Sequence, residues 1–223
     1  MLNLEAHRVG TLDSLFLVPD YVSEDQEARL LLEVAATKAG WRAVNGRTLL
    51  SLGGAVSARG GLIPAPMPSW LAPLVRRLSG EVAVFGGQPN HVLLNVYAAG
   101  QGILPHEDGP VYAPGVCILS LGSPAVIRFT RKPAAEGAPR PAAAAVVLPR
   151  RSLLVFKDEA YAGCLHGIDA VEEEDLDESV VNLEQAEGAG AGGTLRRTGT
   201  RTSLTVRRVL RVHKTIALPG CNR

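Results

Sequence analysis

The sequence predicts a mainly β, α+β fold, a double-stranded β-helix of the jelly-roll type with helices from the N-terminal part supporting one face. Three observations predict it. Helical periodicity is confined to the first part of the chain. Beyond it, short apolar runs bounded by Gly, Pro and Asn follow one another as strands do. Early helices followed by many strands place the helices on one outside face of an antiparallel double sheet. A chain of 223 residues can bury a substantial core, and residues 1–223 are expected to form one domain.

The elements follow in order. Leu12 to Pro19 reads as an entry strand that includes Phe16. Ser23 to Gln26 is a capping box, in which the hydroxyl caps the first turn and Gln26 reaches back. Leu31, Val34, Ala35 and Lys38 carry the helix on to Gly40. Trp41 to Leu62 is Gly-rich and reads as one or two short hairpins with a mobile tip. It carries Arg42, Arg47 and Arg59, a set suited to a lid over an anionic substrate. Ser69 is placed to cap a second helix through Leu71, Leu74, Val75 and Leu78 to Gly80, with Pro73 tolerated in the first turn. Strands are expected at 91–97, 116–121, 125–130, 144–148, 152–156 and 202–211. Residues 131–141 read as an exposed turn, and most of 169–193, acidic then Gly-rich, as a flexible insertion.

Composition narrows the class. Hydrophobic residues make up 46% and charged residues 20%, an ordinary globular balance, with a net charge of +1. The charge is unevenly spread. From Thr194 onward there is no acid, but there are Arg196, Arg197, Arg201, Arg207, Arg208, Arg211, Lys214 and Arg223. Such a segment suits nucleic acid, an anionic small molecule or plain solvent. Cys117, Cys164 and Cys221 form no short pairing, which argues for a reducing compartment and against a disulfide framework or a zinc knuckle. No secretory signal and no membrane-spanning run is expected.

The chemistry concentrates in His106-Glu107-Asp108. In an extended segment positions i and i+2 share a face, so an imidazole and a carboxylate can hold one metal ion. His166 is the best third ligand, and two histidines with one carboxylate form the facial set of a non-haem iron(II) site. A His-x-Asp pair alone is a weak signal, and two further stretches strengthen it. Asn95 and Tyr97 share one face of a strand, and Arg201, Ser203, Thr205 and Arg207 share a face of another. Arg201 and Arg207 lie roughly 20 Å apart along an extended chain, which leaves room for a dicarboxylate between their forks. His91 reads as a structural hydrogen-bonding residue and His213 as a solvated member of the basic tail.

Together these stretches resemble the AlkB-type iron(II)- and 2-oxoglutarate-dependent dioxygenases. Phe85-Gly86-Gly87, residues 90–93 and 105–110, residues 149–155 and residues 165–168 are similar to one branch, AlkB homologue six. The resemblance covers about residues 15–212. It implies that His106, Asp108 and His166 bind Fe(II), that Asn95, Tyr97 and Arg201 hold 2-oxoglutarate, and that Arg207 sits by cosubstrate and metal-bound aspartate. Ser203 stands where the bacterial founder has asparagine. O2 would be the second cosubstrate. The implied activity is oxidative demethylation of alkylated nucleic acid, RNA or DNA. A protein side-chain hydroxylase or demethylase, or a nucleic-acid-binding protein with little turnover, are the alternatives. Two positions depart from the family: Pro110 replaces an acid that helps read the base, and Leu52 replaces a Trp of the lid. The expected partner is nucleic acid and not membrane, the expected state a monomer, and the expected location cytoplasm and nucleus.

Overall fold

The strict alternation of side chains along a strand sorts this molecule into layers. The computed structural model describes residues 1–44, 46–133, 135, 137–186 and 192–214. Its strands are β1 (Leu15–Val18), β2 (Arg42–Val44), β3 (Arg47–Leu52), β4 (Gly54–Val56), β5 (Leu62–Pro64), β6 (His91–Tyr97), β7 (Ile103–His106) and β8 (Gly115–Gly122). They continue as β9 (Ala125–Arg131), β10 (Ala142–Leu148), β11 (Leu153–Lys157), β12 (Cys164–Ile168), β13 (Glu173–Asp175), β14 (Thr194–Arg196) and β15 (Arg201–Arg207). The helices are α1 (Glu24–Ala36), α2 (Ala72–Val82) and α3 (Asp158–Ala162).

A seven-stranded sheet in the order β1-β11-β8-β15-β6-β3-β2 faces a four-stranded sheet in the order β10-β9-β12-β7. All their pairings are antiparallel. On β8, Val116 and Ile118 enter the core between the sheets, while Cys117, Leu119 and Leu121 enter a second core under the helices. On β15, Leu204 and Val206 likewise face the helices, so Arg201, Ser203, Thr205 and Arg207 face the space between the sheets. The expected jelly roll with helices on one face is what forms.

The helices show which local signals governed. The capping box of α1 is present: the Gln26 amide donates to Ser23 Oγ (3.2 Å) and the Ser23 amide to Gln26 Oε1 (3.0 Å). The helix stops at Ala36, before Gly40, because Thr37 turns extended and donates its hydroxyl to Glu33 O (2.9 Å). α2 starts at Ala72 without a side-chain cap from Ser69, and it passes through Gly80 to Val82. Leu78 and Val82 are both buried, and their packing outweighs the roughly 1 kcal/mol helix penalty of Gly80.

Other boundaries differ for tertiary reasons. The strand expected to reach Arg211 ends at Arg207, and the chain continues through single bridges from Val209 to Tyr112 and from Val212 to Leu62. β7, β12 and α3 were not expected. The two strands are short, and Pro105 and Gly167 interrupt their apolar pattern. The lid segment forms two hairpins, β2–β3 and β4–β5, but β3 is also an integral neighbour of β6. His213 is not simply solvated: its Nε2 lies 3.0 Å from Gly60 O and 3.2 Å from Ser57 Oγ, fastening the β4–β5 hairpin.

The largest correction concerns 169–193. Its described part is built into the fold. β13 pairs with β14, and Leu176, Val180, Ala186 and Leu195 pack on Val126, Ala145 and Val147 of the smaller sheet. Asn182 bonds both backbone groups of Val147 at 2.9 Å. Apolar residues interleaved among the acids overcame the disorder that the composition suggested. Residues 187–191, which hold most of the Gly-rich run, and Cys221 lie outside the described residues. Cys117 and Cys164 are free and buried. Among the described residues no helix is long and apolar enough to cross a membrane.

Candidate active site

Between the two sheets lies a cavity of about 290 Å³. β6 contributes Leu93, Asn95 and Tyr97, β15 contributes Arg201, Ser203, Thr205 and Arg207, and the opposite sheet contributes Ile103, His106, Ile127, His166 and Ile168. The register explains why they meet. His106 and His166 are direct cross-strand partners, and Ser203 lies between Asn95 on one side and Ser120 on the other.

One end of the cavity gathers potential metal ligands. One ligand atom each from His106, Asp108 and His166 lies within 4.8 Å of the others. His106 closes β7, and Asp108 follows in the loop rather than in the strand. His106 Nδ1 is 2.9 Å from Leu104 O. A carbonyl only accepts, so Nδ1 carries the proton and Nε2 presents a lone pair. His166 is buried against Phe129 and Phe156, with ring centroids 6.0 and 5.0 Å away. Burial pulls its pKa down to about 4, which leaves it a neutral imidazole at physiological pH. Asp108 Oδ1 accepts from Arg207 Nη1, while its Oδ2 is buried with no partner. Arg207 is in turn held over the Tyr112 ring at 4.1 Å.

The other end holds Arg201. It is 4% exposed, donates from Nη2 to Ser120 Oγ (3.0 Å), and has no partner for its Nε. Burial lowers its pKa to about 10, so it stays cationic at neutral pH. No carboxylate is within ion-pairing distance of it among the described residues. A buried charge without a partner costs several kcal/mol. An anion in the cavity would remove that cost. The donor set therefore fits both a divalent metal, at the bare Oδ2 of Asp108, and a carboxylate, at Arg201.

A family profile for the 2OG-Fe(II) oxygenase superfamily matches residues 59–207. The chain belongs to this superfamily. Relatives refine the placement. "Probable RNA/DNA demethylase ALKBH6" of Danio rerio is 38% identical over 206 residues, covering 89% of this chain and 87% of that protein. An uncharacterised mimivirus protein, L905, is 30% identical over 72% of this chain and 75% of its own length. Among solved structures, OsALKBH1 and an oxidoreductase of the 2OG-Fe(II) oxygenase family from Burkholderia pseudomallei each give a TM-score of 0.52 at 15% identity. They cover 87% and 90% of this chain, and 98% and 89% of their own. The protein is an AlkB-type 2OG-Fe(II) oxygenase, a dioxygenase whose family uses Fe(II), 2-oxoglutarate and O2.

The structure brings together every residue expected at metal and cosubstrate: His106, Asp108, His166, Asn95, Tyr97, Arg201, Ser203 and Arg207 all line the oxygenase cavity. The two-ended anion clamp is altered, because Arg207 is already paired with Asp108 and only Arg201 lacks a counter-ion. The lid arginines separate. Arg42 and Arg59 are exposed, whereas Arg47 lines the cavity and donates from Nε to Asn95 Oδ1 (3.1 Å). Sequence reasoning missed Tyr112 and Ser120. Ser120 carried a faint signal, a lone polar side chain in an otherwise apolar strand. Tyr112 carried none, since its loop meets Arg207 only through the fold.

Proposed function

We propose that this oxygenase oxidatively demethylates alkylated nucleic acid. The observation that carries the reading is one cavity holding a His-Asp-His cluster at one end and a buried guanidinium without a carboxylate at the other. His106, Asp108 and His166 would hold Fe(II), with Arg207 fixing Asp108 so that Oδ2 faces the ion. Arg201, with Tyr97, Asn95 and Ser203, would bind the far carboxylate of 2-oxoglutarate. Iron with 2-oxoglutarate and O2 supplies the power to oxidise a substrate C–H bond, and a hydroxymethyl group formed on nitrogen departs as formaldehyde. Leu93, Ile118 and Ile127 give the cavity apolar wall segments.

The substrate class rests on surface chemistry and on the relatives. A second cavity of about 580 Å³ shares Arg47, Ile103, His106 and Ile168 with the first, so Arg47 stands at the boundary between them. Arg42 and Arg59 on the neighbouring hairpins are free to meet phosphates. The relative from Danio rerio is named "Probable RNA/DNA demethylase ALKBH6". A Xenopus tropicalis protein, 30% identical over 66% of this chain but 22% of its own length, is named as a tRNA methyltransferase.

The test is succinate release by the iron-loaded protein with methylated oligonucleotides, unmethylated oligonucleotides and methylated peptides side by side. Release that depends on the methylated oligonucleotide is expected; release that depends on the peptide would transfer the reading to protein. Anisotropy of a labelled oligonucleotide across a salt series adds the binding arm. Affinity should fall by roughly 0.7–0.9 log units per log unit of salt for each phosphate neutralised. Reversing Arg42 and Arg59 to Glu should reduce that slope and leave 2-oxoglutarate binding unchanged.

A further inference from the structure

The acidic segment, expected to be mere insertion, delivers a charge into the interior. Glu174 of β13 forms an ion pair with Arg197, just after β14, and the two side chains are 1% and 4% exposed. Glu174 Oε1 also accepts from the Val126 amide of β9 (3.1 Å). Arg197 donates from Nη1 to Gln101 O (2.9 Å), and Gln101 Oε1 accepts from the Ala98 amide (2.8 Å). The pair is thus tied to the turn that directly follows Tyr97.

On its other side the pair meets the cosubstrate end of the site. Arg197, Arg201, Tyr97 and Gln101 line one cavity of about 10 Å³. The charge of Arg197 acts on both Arg201 and Tyr97, and that of Glu174 acts on Arg201 in the opposite sense. Two buried guanidiniums in such proximity repel each other and would compete for one carboxylate. A permanent partner for one of them removes the competition.

We propose that Glu174 and Arg197 are a positioning pair for 2-oxoglutarate. Glu174 neutralises Arg197 in place, so of the two buried guanidiniums at this end Arg201 is the one left without a carboxylate. Arg197 backs Arg201 and holds the turn below Tyr97, which keeps both turned into the cavity. A buried ion pair contributes little net stability compared with apolar side chains of the same volume. Position is what this one offers. The proposal rests on the reading that Arg201 receives the far carboxylate.

The test uses the full chain with Mn(II) in place of Fe(II) and calorimetric titration with 2-oxoglutarate. Glu174→Gln should weaken 2-oxoglutarate about tenfold, the equivalent of one lost bond to a charged group, and should lower the melting temperature. The double variant Glu174→Leu, Arg197→Met should recover part of the melting temperature, because an apolar pair replaces an ionic one while the Val126 amide still lacks its acceptor. It should remain about tenfold weak for 2-oxoglutarate, with Mn(II) affinity unchanged. The KM for 2-oxoglutarate should rise in step with Kd while kcat moves far less.

A double variant that binds 2-oxoglutarate as the wild type does would overturn the proposal and leave the pair a structural one. If the double variant does not fold, Glu174→Gln below its melting temperature decides the same point: an unchanged Kd overturns the proposal. Arg201→Met separates the two levels. If it binds 2-oxoglutarate normally, the reading of the site fails and the proposal with it. If it binds weakly while the double variant is normal, only the positioning role fails.

Discussion

The two ends of β15 carry the same residue in opposite electrostatic states. Each lies over a tyrosine ring, Arg207 over Tyr112 and Arg201 over Tyr97, but Arg207 is paired with Asp108, whereas Arg201, as deeply buried, has only a neutral hydroxyl as hydrogen-bond partner. One strand, one side-chain type and one cavity give both. The difference teaches that burial and charge do not by themselves mark a binding group. What marks it is the missing partner. Arg207 is committed to orienting Asp108, and Arg201 is held ready for something from outside.

Removal of Asp108 gives the sharpest test of that contrast. Asp108→Ala should abolish metal binding and also destabilise the apo protein by about 3–5 kcal/mol, since it strands Arg207 in the interior. Metal titration and urea unfolding measure the two effects. An apo protein as stable as the wild type would mean that Arg207 is not held by Asp108. Arg201→Met should behave in the opposite way. It removes a cation that has no counter-ion, so apo stability should hold or rise, while 2-oxoglutarate affinity drops by about 1.5–3 kcal/mol or more. Loss of apo stability in this variant would erase the distinction between the two ends.

A smaller effect comes from pH. His91 touches Ser51 Oγ (2.8 Å) and lies near Tyr112 and Arg207, and burial followed by the Arg207 charge lowers its pKa to about 4. A group lowered on folding binds fewer protons in the folded state between that value and its ordinary value of 6.5. Apo stability should therefore be complete above about pH 6.5 and fall toward pH 4, by up to about 1.4 kcal/mol per pH unit for each such histidine. Melting curves of wild type and His91→Gln across this range would show it. A variant with the wild-type pH slope would assign the loss elsewhere. The smallest effect is that of Tyr97→Phe on 2-oxoglutarate, about 1.5 kcal/mol, the lower end for one hydrogen bond to a charged group. A loss equal to that of Arg201→Met would mean the guanidinium is not the main anchor.

Much of this was legible in the chain itself, and the reason is periodicity. Alternation along 91–97 and 201–207 fixes which side chains share a face, so Asn95, Tyr97, Arg201, Ser203 and Arg207 could be grouped before any pairing was known. The capping box at Ser23 is a local signal and formed as read. His106, Asp108 and His166 could be grouped by the chemistry of their donor atoms. What only the tertiary structure decided is who faces whom. Whether Arg207 meets a carboxylate or a ligand depends on a loop brought in from the opposite sheet. Whether Glu174 is solvated or buried beside Arg197 depends on a small hairpin packing on β9 and β10. Local sequence sets propensity and face, but the partner of a buried charge is chosen by the register and packing of strands far apart in the chain, because only there does its desolvation have to be offset.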